Sequence, residues 1–156
     1  MRQATGSAPA HAAPAAAAAA LQAALAAEHA AIYGYGIVGA QLGGAARTAA
    51  TRDWTLHQVA RDTLTAMITG LGATPVAASA AYDLPFAVHG AAAARSLAAV
   101  LEDGVTRAYL GLVALPDATL RTFGARAMQA PAGRAAFWRG ATTAFPGLPP
   151  GALAPA

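Results

Sequence analysis

One carboxylate in the middle of an apolar helix face restricts this chain more than any other feature. The stretch from Leu21 to Leu42 reads LQAALAAEHAAIYGYGIVGAQL. At about 100° per residue, Leu21, Leu25, Ile32, Tyr35, Gly39 and Leu42 fall within about 60° of Glu28. A charge on the buried face of a helix needs a partner or a proton. The fold must therefore bring polar groups from other helices to Glu28.

The remaining periodicity is helical throughout. Residues 1–15 are mostly Ala, Pro, Gly and Ser without apolar rhythm and are expected to form a disordered tail. A first helix is expected from Ala15 to Leu42, stopped by Gly43-Gly44, and a second from Thr51 to Leu71, with Asp53 in its first turn and Gly72 as its stop. Residues 73–90 carry Pro75, Asp83-Leu84-Pro85 and His89-Gly90. With Tyr82, Leu84 and Phe86, this long connection should pack along the helices. A third helix is expected from Ala91 to Leu115, ended by Pro116. The fourth is capped by Asp117 and breaks near Pro131, resuming over Arg134–Thr143. The last segment, with Phe145 and Leu148, should dock those two side chains. The expected architecture is all-α: a four-helix bundle over residues 16–150 with one long crossover connection, followed by a short tail over 151–156.

Shifting the sequence by 74 residues lays Glu28 on Glu102 and Tyr35 on Tyr109, so each acid has a tyrosine seven residues later. That echo fits a duplicated helical hairpin. On the second helix His57 shares a face with Trp54, Arg61, Leu64, Ile68 and Leu71. The candidate buried polar cluster is therefore Glu28, His57, Glu102, Arg61, Tyr35 and Tyr109, with Arg134 or Arg139 able to reach inward. Glu102 lies about 80° from the centre of its own apolar arc, which leaves a flank position open for it.

Composition excludes several classes. With no cysteine, disulfides and thiolate chemistry are impossible. Mean hydropathy is positive, +0.42, but alanine supplies it; no window reads as ~20 strongly apolar residues, and no transmembrane span or secretory signal is expected. All ten basic residues are Arg; against seven acids they make no stripe, so no nucleic acid is expected as partner. Gly34, Gly36, Gly39, Gly43 and Gly44 follow no strand and precede no Lys, which excludes a phosphate loop and points to close helix approach. Ser79 and Ser96 have no base nearby in sequence, and no nucleophilic catalytic set is expected.

The run Leu21–Gly36, the Gly72-Ala73-Thr74-Pro75 turn, Tyr82-Asp83-Leu84-Pro85-Phe86 and Trp138-Arg139 with Ala144-Phe145-Pro146-Gly147-Leu148-Pro149 resemble a ferritin-like family of high-GC bacteria, domain of unknown function 4439. The resemblance covers about residues 18–150. It implies a ferritin-like bundle and brings no activity with it. Di-iron members of such folds place a Glu on each of two helices and Glu-x-x-His on each of the other two. Here Glu28 and Glu102 match the first pair. Trp54 stands where the second helix needs Glu, Asp53 is one position off, and no Asp, Glu or His follows Asp117. The di-iron set is therefore incomplete, and no cofactor, metal or catalytic residue is assigned.

Two function classes follow. The preferred one is a cytoplasmic structural or partner-binding protein. The competing one is an oxidoreductase with a reduced-nuclearity metal site at Glu28, His57 and Glu102. The sparse charge and Ala-Gly faces of the first two helices also point to a two-fold homodimer. Light scattering at micromolar concentration should return twice the chain mass; a monomer mass would reject the dimer.

Overall fold

The computed structural model describes residues 12–148, and every regular element among them is helical. In order these are α1 (Ala12–Ala40), α2 (Gly44–Gly70), α3 (Gly90–Val113), α4 (Ala118–Ala127) and α5 (Gln129–Arg139). The expected tail over residues 1–15 overlaps α1 by four residues; its remainder, and the tail over 151–156, lie outside the described residues.

The turn from α1 to α2 is shorter than expected. Gly44 takes φ +53°, a left-handed conformation that reverses the chain at little cost for glycine. Ala45, Ala46 and Arg47 then continue as good helix formers, and Arg47 Nε donates to Gly39 O at 3.0 Å across the turn. Since α2 starts at Gly44 and not at Thr51, Asp53 is not a first-turn residue. It sits in the third turn and is buried.

The connection after α2 climbs along α1. Gln22 holds its start, donating to Thr74 O and accepting from Val76 N; Gln41, just past the C-terminal end of α1, accepts from Gly90 N at its end. Between them His29 pairs with Val76 O and Tyr33 packs on Tyr82. Because this segment traverses the length of α1, α3 starts beside the C-terminus of α1 and runs antiparallel to it. Glu28 meets Tyr109 and Tyr35 meets Glu102, as that direction requires. The topology is up, down, long return, down, up.

The final rod is two helices. Asp117 caps α4, accepting from Leu120 N at 2.8 Å, as the sequence predicts. The break falls at Met128, before Pro131 and not at it. Pro131 has no N–H to give Ala127 O, and its ring crowds that carbonyl, so α4 ends at Ala127 and the proline falls in the first turn of α5. Helix α5 stops at Arg139, not Thr143, because Gly140 takes φ +74°. Beyond it Phe145 and Leu148 are exposed, contrary to expectation; Gly147 is the buried residue, its carbonyl accepting from Arg107 Nε. Asp103 pairs with Arg139 of α5.

Helix α2 packs on α1, while α4 and α5 pack on α3, and α1 packs on α3 through the middle. Small residues set two of the approaches. A Cβ at Gly34 would stand 2.5 Å from Leu101 Cδ1, and one at Gly124 would stand 2.9 Å from the Tyr109 carbonyl oxygen. Gly36, Gly39, Gly43 and Gly44 have open space where a Cβ would be, so the expected close-approach role belongs to Gly34 alone of that group.

The apolar core is divided. One cluster gathers Val38, Leu42, Leu97 and Trp138; the other gathers Leu21, Leu25, Leu64, Ile68 and Leu112. The layer between them is polar. Helix α1 is long and apolar enough over Ala13–Ala40 to cross a membrane by length and composition alone, a hydropathy supplied largely by alanine. In the fold its Leu21, Leu25 and Val38 are fully buried within the protein.

Candidate functional site: a buried charge network

Four helices each deliver one charged group to the middle layer: Glu28 from α1, His57 from α2, Glu102 from α3 and Arg134 from α5. The two glutamates and the histidine are at most 1% exposed. The imidazole stands between the carboxylates. His57 Nδ1 is 2.6 Å from Glu28 Oε2, and His57 Nε2 is 3.2 Å from Glu102 Oε1. With an acceptor at each nitrogen, the ring satisfies both only as the doubly protonated cation.

The two tyrosines are exchanged between the glutamate-bearing helices. Tyr35 of α1 donates to Glu102 Oε1 of α3 at 2.6 Å, and Tyr109 of α3 donates to Glu28 Oε1 of α1 at 2.8 Å. The 74-residue echo in the sequence thus becomes a reciprocal pair of hydrogen bonds. The symmetry stops at the outer helices, where α2 contributes His57 and α5 contributes Arg134.

Glu102 carries most of the load. Its Oε1 accepts from Tyr35, His57 and, at 2.7 Å, from Arg134 Nε; its Oε2 is buried without a partner among the described residues. The flank position left open by its helical angle is excluded, since the residue is completely buried.

Electrostatics follow this geometry. Burial works against charge on His57, but hydrogen bonds and attraction from Glu102 and Glu28 outweigh it and push the pKa up to about 9. Burial likewise opposes charge on Glu102, yet His57 and Arg134 hold its carboxyl below the ordinary value. Both tyrosines are driven above their ordinary range, first by burial and then by the adjacent carboxylates. They serve as donors, not as phenolates.

Of the six residues the sequence brings to this site, five meet there. Arg61 does not: its side chain is half-buried and forms an ion pair with its neighbour Asp62 at the surface. Being one turn from His57 put it on the correct face, but its length carries it out to water. Arg134 takes the role instead, and Arg139 goes to Asp103. A second polar group escaped the sequence reading. Trp138 Nε1 donates to Asp53 Oδ2 at 3.0 Å, and Arg52 donates to Asp53 Oδ1, so this buried carboxylate is neutralised by its own neighbour and fixed by an indole. The signal was present as Asp53 four residues before His57, one turn along the same face.

The donor set does not fit a metal centre. Coordinating atoms must converge on one point at about 2.0–2.2 Å. Here the two nitrogens of His57 face opposite carboxylates and both are used, Asp53 is turned to Trp138, and α5 supplies a cation. Among the described residues no group of three His, Asp or Glu side chains is arranged to hold an ion.

Residues 20–150 match the family model described as Domain of unknown function (DUF4439). The crystal structure of a conserved hypothetical protein, rv2844, from Mycobacterium tuberculosis is similar: 36% identical, with a TM-score of 0.76, over 80% of this chain and 96% of that one. No curated protein matches the chain.

Proposed function

The chain belongs to the DUF4439 family, and from that premise and its central layer we propose a ferritin-like protein in which a charge network replaces the di-iron site, acting as a non-catalytic structural or partner-binding unit. Two antiparallel hairpins joined by a connection that runs the length of α1 favour the ferritin-like reading. The observation that carries the functional reading is His57 bridging Glu28 and Glu102. Ligand-bearing helices are kept, yet the groups they carry neutralise one another. Such a layer fixes helix register, and Glu102 Oε2, the one carboxylate oxygen of the network left without a partner among the described residues, is a single ligand atom and not a coordination set.

Metal titration tests this. A metal at about 100-fold its dissociation constant would add about 2.7 kcal/mol to stability, several degrees of Tm. Under the scaffold reading, added iron, manganese or zinc leaves the Tm of untagged protein unchanged. A clear metal-dependent rise, lost in Glu28→Gln and His57→Ala, would overturn the scaffold reading in favour of the competing metal site at Glu28, His57 and Glu102.

A further inference from the structure

Because α2 packs on α1 while α4 and α5 pack on α3, a cleft of about 240 Å³ is left between α2 and the last rod. Leu56, Val59 and Ala60 of α2 form one wall, and Phe123, Ala127 and Pro131 form the other. Glu28, Tyr109 and Arg134, all members of the charge network, line it too. Apolar walls with a few convergent polar groups are the usual make-up of a small-molecule site.

The hydrogen bonds already made define what the cleft still offers. Both Glu28 oxygens accept, one from His57 and one from Tyr109. The Tyr109 proton is therefore committed, and its oxygen remains an acceptor. Arg134 commits Nε to Glu102, and among the described residues its terminal nitrogens have no partner. Uncommitted N–H donors and a phenolic acceptor thus line one space.

Charge decides between head groups. Arg134 and His57 already balance Glu102 and Glu28. An anion would add an uncompensated charge beside the Glu28 carboxylate, and a cation would add one beside Arg134; either is costly away from water. A neutral carbonyl carrying an N–H matches what is left. At ~30 Å³ of space per water-sized group, the volume suits about eight non-hydrogen atoms.

We propose that this cleft binds a small uncharged carboxamide, its carbonyl accepting from Arg134, its N–H donating to the Tyr109 oxygen, and its apolar body lying between Leu56, Val59 and Phe123. This goes beyond the scaffold reading and is tested separately from it, in the absence of metal.

Isothermal titration calorimetry on the full chain with hexanamide, hexanoate and hexylammonium isolates the head group at nearly constant size. Hexanamide should bind in the millimolar range, at least about tenfold tighter than either ion, the discrimination expected of a site that hydrogen-bonds a neutral group and desolvates a charged one. Ala60→Phe, filling the wall, should abolish binding while helical circular dichroism is retained; Ala127→Phe makes the same test from the opposite wall should the first variant not fold. No binding of hexanamide up to its solubility limit would overturn the proposal. So would hexanoate binding as tightly as the amide, or hexanamide affinity unchanged in a folded filling variant.

Discussion

Glu102→Ala is expected to cost on the order of 3–5 kcal/mol, the loss typical of leaving a buried charge uncompensated. One oxygen of Glu102 accepts from Tyr35, His57 and Arg134 together. Alanine would strand an imidazolium, a guanidinium and a phenol in a layer closed above and below by apolar clusters. Domains of this size are stable by about 5–15 kcal/mol, so the variant should be near the edge of folding. Glu28→Ala removes the acceptor for two donors, His57 and Tyr109, and should cost less, about 2–4 kcal/mol. Glu102→Gln retains shape and one acceptor oxygen but loses the charge opposite His57 and Arg134, and should fall between wild type and Glu102→Ala. Guanidinium denaturation at pH 7 measures all three. A Glu102→Ala variant within about 0.5 kcal/mol of wild type, the range of an ordinary surface change, would show that the layer does not hold the fold.

The helices and the identity of the layer were legible because they rest on local rules. A 3.6-residue rhythm placed Glu28 and His57 on inward faces, and the repeated Glu and Tyr at a seven-residue interval marked both halves of the reciprocal pair. The illegible parts depend on where the end of a long side chain goes. Arg61 and Arg134 are indistinguishable as sequence; one reaches water and the other Glu102, because α5 packs closely on α3 whereas the outer edge of α2 faces the cleft and solvent. By helical angle Trp54 shares the inward face with His57, yet it is 39% exposed and Asp53 is buried instead. The wheel angle could not decide between these neighbours; the indole of Trp138, 85 residues away in sequence, does. Phe145 was expected to dock by its hydrophobicity, but the C-terminal segment is held by a backbone carbonyl to Arg107, which no periodicity encodes.

Stability should fall as pH rises from about 6.5 to about 9, the reverse of what carboxylate-dominated proteins show on the acid side. Burial disfavours the His57 cation, but the two glutamates outweigh it, so its folded pKa of about 9 lies above the ordinary value of 6.5. A group whose pKa is raised by folding contributes fully below its unfolded pKa and loses that contribution as pH climbs through the folded one. At about 1.36 kcal/mol per unit, the contribution is on the order of 3 kcal/mol. The groups around the ring add no opposing slope in this window: both tyrosines are shifted upward, Arg134 is held protonated by Glu102 despite its burial, and Glu102 is held below its usual range. Denaturation midpoints measured from pH 6 to pH 10 should therefore decline through the middle of that range. His57→Gln, which can still hydrogen-bond but cannot titrate, should flatten the curve. A wild-type profile that is level or rising over the same interval would mean that the ring between the carboxylates is neutral, and the balance of charge assigned to the central layer would be wrong.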